Sequence, residues 1–160
     1  MKHLIRILSL FIVAAALILL QTQPAMAQPR AEDQPPMQLK SEFKNYVVHY
    51  TLFNSAFILP EVAKAYGITR SEQETLLNLT VTKKDEFGGL PASVSGSHKN
   101  LMQQQKNLRF TEISEKDAVY YLAPIRVSSE ELLHFELNIS PKGSNETLTV
   151  KFSQKVYPSN

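Results

Sequence analysis

Cysteine and tryptophan are absent from the 160 residues, glycine is scarce at five, and neither sign of charge prevails. Each shortage removes a class of function. A chain without Cys has no disulfide framework, thiolate zinc site, iron–sulfur cluster, cysteine nucleophile or lipid-anchored cysteine. Lack of Trp removes the large stacking platform that sugar-cleaving sites favour, so the scattered acids do not read as a glycosidase pair. No glycine-rich phosphate loop occurs, and Gly88-Gly89 reads as a hairpin turn between strand runs. Lys plus Arg number 17 against 15 Asp plus Glu. Two of the cations, Lys2 and Arg6, lie in a removable leader, and without them the balance is 15 against 15. A neutral domain has no basic stripe with which to displace counterions from phosphates, which argues against a nucleic-acid partner.

Long apolar runs are also missing, with one exception. Lys2, His3 and Arg6 open the chain, Ile7 to Leu20 follow without a charge, and Ala25-Met26-Ala27 places small residues before a cut. That is the three-part pattern of a secretory signal peptide over residues 1–27, cleaved after Ala27. The run is shorter than the ~20 residues a spanning helix needs. The expected product is periplasmic and free of the membrane once the leader is removed. Residues 28–42, with three prolines and little apolar periodicity, read as a flexible arm. The folded domain is then expected over residues 43–158.

Within that domain a period of two prevails. Apolar residues alternate as Tyr46, Val48, Tyr50, Leu52; as Leu77, Leu79, Val81; as Leu108, Phe110; and as Val119, Tyr121. The clearest runs are Leu133, Phe135, Leu137, Ile139 and Leu148, Val150, Phe152. Such spacing sets every apolar side chain on one face of a strand. The last two runs flank the turn-forming Pro141–Asn145, which predicts a hairpin with Phe135 opposite Phe152, Leu137 opposite Val150 and Glu136 opposite Lys151. Pro91–Ser97, rich in small residues, reads as an edge strand or a tight approach to another segment. Six to seven short strands with little helix predict an all-β, immunoglobulin-like antiparallel sandwich. One short helix is expected from Pro60, which suits the first helical position, to Gly67, which suits a left-handed cap. It is expected to cover an open end of the sandwich.

The blocks Val48-His49-Tyr50, Phe53-Asn54-Ser55, Leu59 through Ser71, Lys99-Asn100-Leu101 and Ala118 through Ala123 resemble the DUF4426 family of secreted gamma-proteobacterial proteins. The likeness spans about Leu39 to Pro158 and is most specific from His49 to Ser71. It departs after Asn100, where Leu101-Met102-Gln103-Gln104 stands in place of a glycine-containing turn. The resemblance implies a periplasmic sandwich and carries no activity with it.

Candidate chemistry is sparse. Ser97 and His98 are adjacent, but on an extended chain they point to opposite faces and lack the strand–elbow–helix context of a hydrolase nucleophile. His49, His98 and His134 are the imidazoles left after leader removal, without the close spacing of a metal motif. The block from His49 to Ser71 offers Asn54, Ser55, Tyr66 and Arg70 as a ligand-binding set: two amide or hydroxyl groups, a phenol and a guanidinium fork suited to carboxylates. The same residues also serve to close turns. Together these features predict a small exported, non-enzymatic binding module without a cofactor, whose partner is a periplasmic protein or peptide-like ligand. The alternative is copper or zinc handling through His49, His98 and His134.

Overall fold

The structure, a computed structural model, describes residues 39–116 and 118–159. The leader, its cleavage point after Ala27 and the arm as far as Gln38 lie outside the described residues. Among the described residues nine strands are seen rather than six or seven: β1 (Leu39–Glu42), β2 (Tyr46–Asn54), β3 (Glu74–Lys83), β4 (Ala92–Lys99), β5 (Gln105–Asn107), β6 (Thr111–Glu115), β7 (Ala118–Arg126), β8 (Glu131–Pro141) and β9 (Leu148–Val156). A 3₁₀ turn, Ser55–Phe57, and helix α1, Pro60–Tyr66, join β2 to β3.

The strands form two antiparallel sheets, ordered β1-β2-β3-β7-β6 and β5-β4-β8-β9. Their facing sides share one apolar core that includes Val48, Leu77, Leu79, Val81 and Ala123 from the first sheet and Phe135, Leu137, Ile139 and Val150 from the second. The chain is thus an all-β sandwich, built by the alternation that the sequence displays. The β8–β9 register is the expected one, with Phe135 on Phe152, Leu137 on Val150 and Glu136 on Lys151. Glu136 and Lys151 complete an ion pair at 3.1 Å on the outer face. An aromatic row ties the layers: Tyr50 of β2 lies 4.4 Å from Phe152 by ring centroids, and Phe152 stacks on Phe135 at 4.6 Å and 7°.

Several expectations change. The fold begins at Leu39 rather than Phe43, because β1 pairs with β2 and sets Leu39 against Tyr50, where it packs on the core. Leu108 and Phe110 do not form a strand; they lie in the crossing between β5 and β6, and Leu108 is buried there. Gly88-Gly89 is no hairpin turn, since β3 and β4 belong to different sheets. In β4, Ser97–Lys99 pair on both sides, with β5 and β8, so an unpaired edge is left only toward Ala92.

Helix α1 also sits elsewhere than expected. Its cap is as predicted: Gly67 adopts φ 65°, and the Ile68 N–H donates to the Ala63 carbonyl at 2.8 Å. It does not plug an end of the sandwich. The chain leaving it, Tyr66–Thr69, lies over the outward face of the five-stranded sheet, against Leu76, Ile113, Leu122 and Pro124. Leu76 is 1% exposed although its neighbour Leu77, pointing the other way, is 0% exposed. Strand β3 is therefore covered on both faces at Leu76, whereas Asn78 and Thr80 further along its outward side are half-buried. Among the described residues no helix is long and apolar enough to cross a membrane.

Candidate functional site

The four residues singled out as a ligand set do not form one cluster. Asn54 ends β2, and its side chain accepts from the Ala56 N–H at 2.9 Å while donating to the Glu72 carbonyl at 2.7 Å. Ser55, fully buried, donates through Oγ to the Ser71 carbonyl at 3.1 Å and accepts from the Ser71 N–H at 2.9 Å. Arg70 donates through Nη2 to the Ala56 carbonyl at 2.7 Å. These three side chains close residues 54–56 against residues 70–72. The Glu72 carbonyl also accepts from the Ser159 N–H at 2.8 Å, which pins the end of the described chain to the same corner. The arrangement satisfies backbone groups that a loop crossing a sheet would otherwise bury unpaired.

Tyr66 is directed elsewhere. Its hydroxyl donates to Glu115 Oε1 of β6 at 3.0 Å, and this bond raises the phenol's pKa above its ordinary value. The side chain lines a pocket of about 130 Å³ between the helix exit and the outward face of the sheet. Leu76, Leu122, Ile113 and Pro124 line the sheet side, with Glu74 and Thr111 beside them. Strand β6, which supplies Thr111 and Ile113, is the outermost strand of its sheet and among the described residues pairs with β7 alone. A lined pocket thus adjoins an open strand edge.

The histidines occupy three different layers. His49 lies on β2 opposite Thr80, on the outward face of the five-stranded sheet. His134 lies on β8 with its Nδ1 2.6 Å from Ser153 Oγ, on the outward face of the other sheet. His98 pairs with Phe135 and turns inward, 8% exposed, with its ring 5.9 Å from the Phe135 ring. Its Nδ1 is buried without a hydrogen-bond partner among the described residues. Burial first, then the nearby Lys106 ammonium, hold its pKa below the ordinary value, while Glu131 acts weakly the other way. His49, His98 and His134 are therefore not brought together: His98 and His134 project from opposite faces of one sheet, and His49 lies on the outward face of the other. Among the described residues no group of three or more His, Asp or Glu is placed to hold a metal ion.

Ser97 and His98 face opposite sides of β4, as the alternation requires. Tyr120 and Tyr121 likewise divide. Tyr121 is buried in the core, where its hydroxyl accepts from the Ala92 N–H at 2.6 Å and donates to Glu112 Oε2 at 3.1 Å. It thereby joins the two sheets at one corner, and its burial raises the phenol's pKa.

The sequence reading missed the pocket's lining. Its signal was present in the adjacent apolar pairs Leu76-Leu77 and Leu122-Ala123, which break strict alternation and mark strands buried on both faces.

Residues 40–159 match the model of DUF4426, a domain of unknown function. The crystal structure of a DUF4426 family protein from Pseudomonas aeruginosa PAO1 is similar at 32% identity and a TM-score of 0.70, covering 77% of this chain and 97% of that one. FetP from uropathogenic Escherichia coli strain F11, expressed in the periplasm, is similar in fold at 10% identity and a TM-score of 0.55, with 79% and 97% covered. A copper-bound variant of FetP gives 12% identity and a TM-score of 0.53, with 78% and 93% covered. No curated protein matches the chain.

Proposed function

The chain belongs to the DUF4426 family, a domain family of unknown function, and from that premise we propose that it is an exported, non-enzymatic binding module of the periplasm. In this reading it takes an extended, peptide-like segment of a partner protein along the free edge of β6. The observation that carries the reading is the junction of that edge with the pocket beside Tyr66. A strand added to β6 gains main-chain hydrogen bonds along the edge, and its alternate side chains lie next to Thr111 and Ile113. Those two residues line the pocket, whose volume suits one apolar side chain. The signal-peptide pattern of residues 1–27 supports the compartment. Copper belongs to the FetP variant, and this chain's scattered imidazoles give it no counterpart here.

The test is site-specific photocross-linking in cells that export the protein, with p-benzoylphenylalanine placed at the exposed, pocket-lining Thr111 on β6 or, as control, at Lys64 on α1. The expected result is a discrete cross-linked peptide from Thr111, absent at Lys64 and lost when Ile113→Lys fills the pocket with a charge. Equal cross-linking at both positions, or none at Thr111, overturns the reading.

A further inference from the structure

The outermost strands of the two sheets are β1, β6, β5 and β9, of 4, 5, 3 and 9 residues. Among the described residues β9 thus presents the longest free edge. A row of unpaired N–H and C=O groups invites a further strand, and folds commonly blunt such an edge with proline, a bulge or outward-reaching lysines. β9 is not blunted in these ways. Residues 148–156 contain no proline, and the pairing with β8 runs unbroken from Val156 on Glu131 to Leu148 on Ile139. Its lysines are drawn back over their own sheet, Lys151 to Glu136 at 3.1 Å and Lys155 to Glu130 at 2.6 Å.

The order of residues along β9 selects its own kind as the strand that fits. Two copies pairing antiparallel about a two-fold axis must set some residue against its own counterpart, because residues directly opposite point to the same face. Centred on Lys151, the pairing sets that ammonium against itself; centred on Ser153, it sets Lys151 against Lys155. Like charges directly opposite are destabilising. Centring on Phe152 removes both conflicts, and Phe152 is also the middle of the nine-residue strand, so every residue finds a partner. Lys155 then faces Thr149, Lys151 faces Ser153, Gln154 faces Val150 and Val156 faces Leu148. The half-buried Phe152 meets the Phe152 of the second copy, which carries the aromatic row of Tyr50, Phe152 and Phe135 across the joint. The other layer leaves room. Tyr50 lies over Phe152, Asn45 reaches Glu146 at 2.8 Å, and β1 runs beside Val47–Tyr50 alone. The two copies of β1 therefore fall on opposite sides of an axis through Phe152.

We propose that the chain forms a two-fold dimer through β9, two copies pairing antiparallel about Phe152 and joining their four-stranded sheets into one. The surface is separate from the β6 edge, which belongs to the other sheet, and the two readings stand or fall separately. Sedimentation velocity and cysteine cross-linking of the purified exported protein test it, and the chain's lack of cysteine makes each cross-link unambiguous. The native protein is expected to sediment as a dimer in the micromolar range. Thr149→Lys sets a lysine against Lys155 once in each copy and is expected to weaken association about tenfold. Ser95→Lys, the same charge at an exposed position of β4, leaves association unchanged. Under oxidation, chains carrying Lys151→Cys mixed with chains carrying Ser153→Cys are expected to form a disulfide-linked pair, and neither variant alone does so. A monomer throughout the micromolar range, a dimer indifferent to Thr149→Lys, or cross-linking by either cysteine variant alone each overturn the proposal.

Discussion

Gly96 of β4 and Leu137 of β8 face each other with no room between them for a side chain. A β-carbon on Gly96 would stand 2.6 Å from the Glu136 carbonyl oxygen and 2.7 Å from Leu137 Cδ2. One of these neighbours is backbone in the middle of a ladder and cannot give way cheaply. Gly96→Ala is therefore expected to destabilise the fold by about 1–3 kcal/mol, the range of overpacking. Urea denaturation followed by tyrosine fluorescence checks it; an unchanged midpoint contradicts the close approach.

The corner closed by Ser55 predicts a second loss. Removing its hydroxyl leaves both the Ser71 N–H and the Ser71 carbonyl without the partner described above. Ser55→Ala is expected to cost about 1–3 kcal/mol, the penalty of unsatisfied buried groups. Amide exchange at Ser71 should quicken more than exchange in β8. Arg70→Ala, at the exposed rim of the same corner, is expected to have a smaller effect.

His98 makes stability depend on pH. Its folded-state pKa lies below the unfolded value of about 6.5. Below that value the unfolded chain binds a proton that the native chain resists, so stability falls as pH drops from 6.5 toward the folded pKa. Lys106 on β5 opposes protonation and Glu131 at the start of β8 favours it. The difference in thermal midpoint between the native chain and His98→Leu should therefore change between pH 7 and pH 5, with the native chain losing more on acidification. A difference independent of pH would contradict this.

Gln103 occupies the left-handed region at φ 62°. The turn after Asn100 thus forms without a glycine, closed by the Gln103 N–H donating to the Asn100 carbonyl at 3.0 Å. A residue with a β-carbon carries a cost there that glycine avoids, so Gln103→Gly is expected to stabilise by about 1 kcal/mol. A rise in the urea midpoint checks it.

Much of this fold was legible in the sequence where a local rule acted alone. The hairpin of Phe135 and Phe152 followed from alternation and one turn, and α1 followed from Pro60 and Gly67. The elements that were not legible depend on partners distant in the chain. β1, β5 and β6 are short and mostly exposed, so their apolar content was too small to announce them; each exists because a longer strand offers it an edge. The outward seat of α1 was hidden because Leu76 and Leu122 gain meaning only when β3 and β7 are known to be neighbours. Of the ligand set, Asn54 and Ser55 close the turn, the alternative role open to them in the sequence, while Tyr66's place against Leu76 and Ile113 depends on that same pairing.

The double covering of β3 at Leu76 and Leu77 gives the two sheets unequal freedom to vary. On β3, neither Leu76 nor Leu77 has a solvent side to which a hydrophilic replacement could escape, so divergence there is confined to greasy exchanges. Along β8, every second position looks onto open water, and descendants of this chain can rewrite that plate residue by residue without endangering the scaffold that carries it.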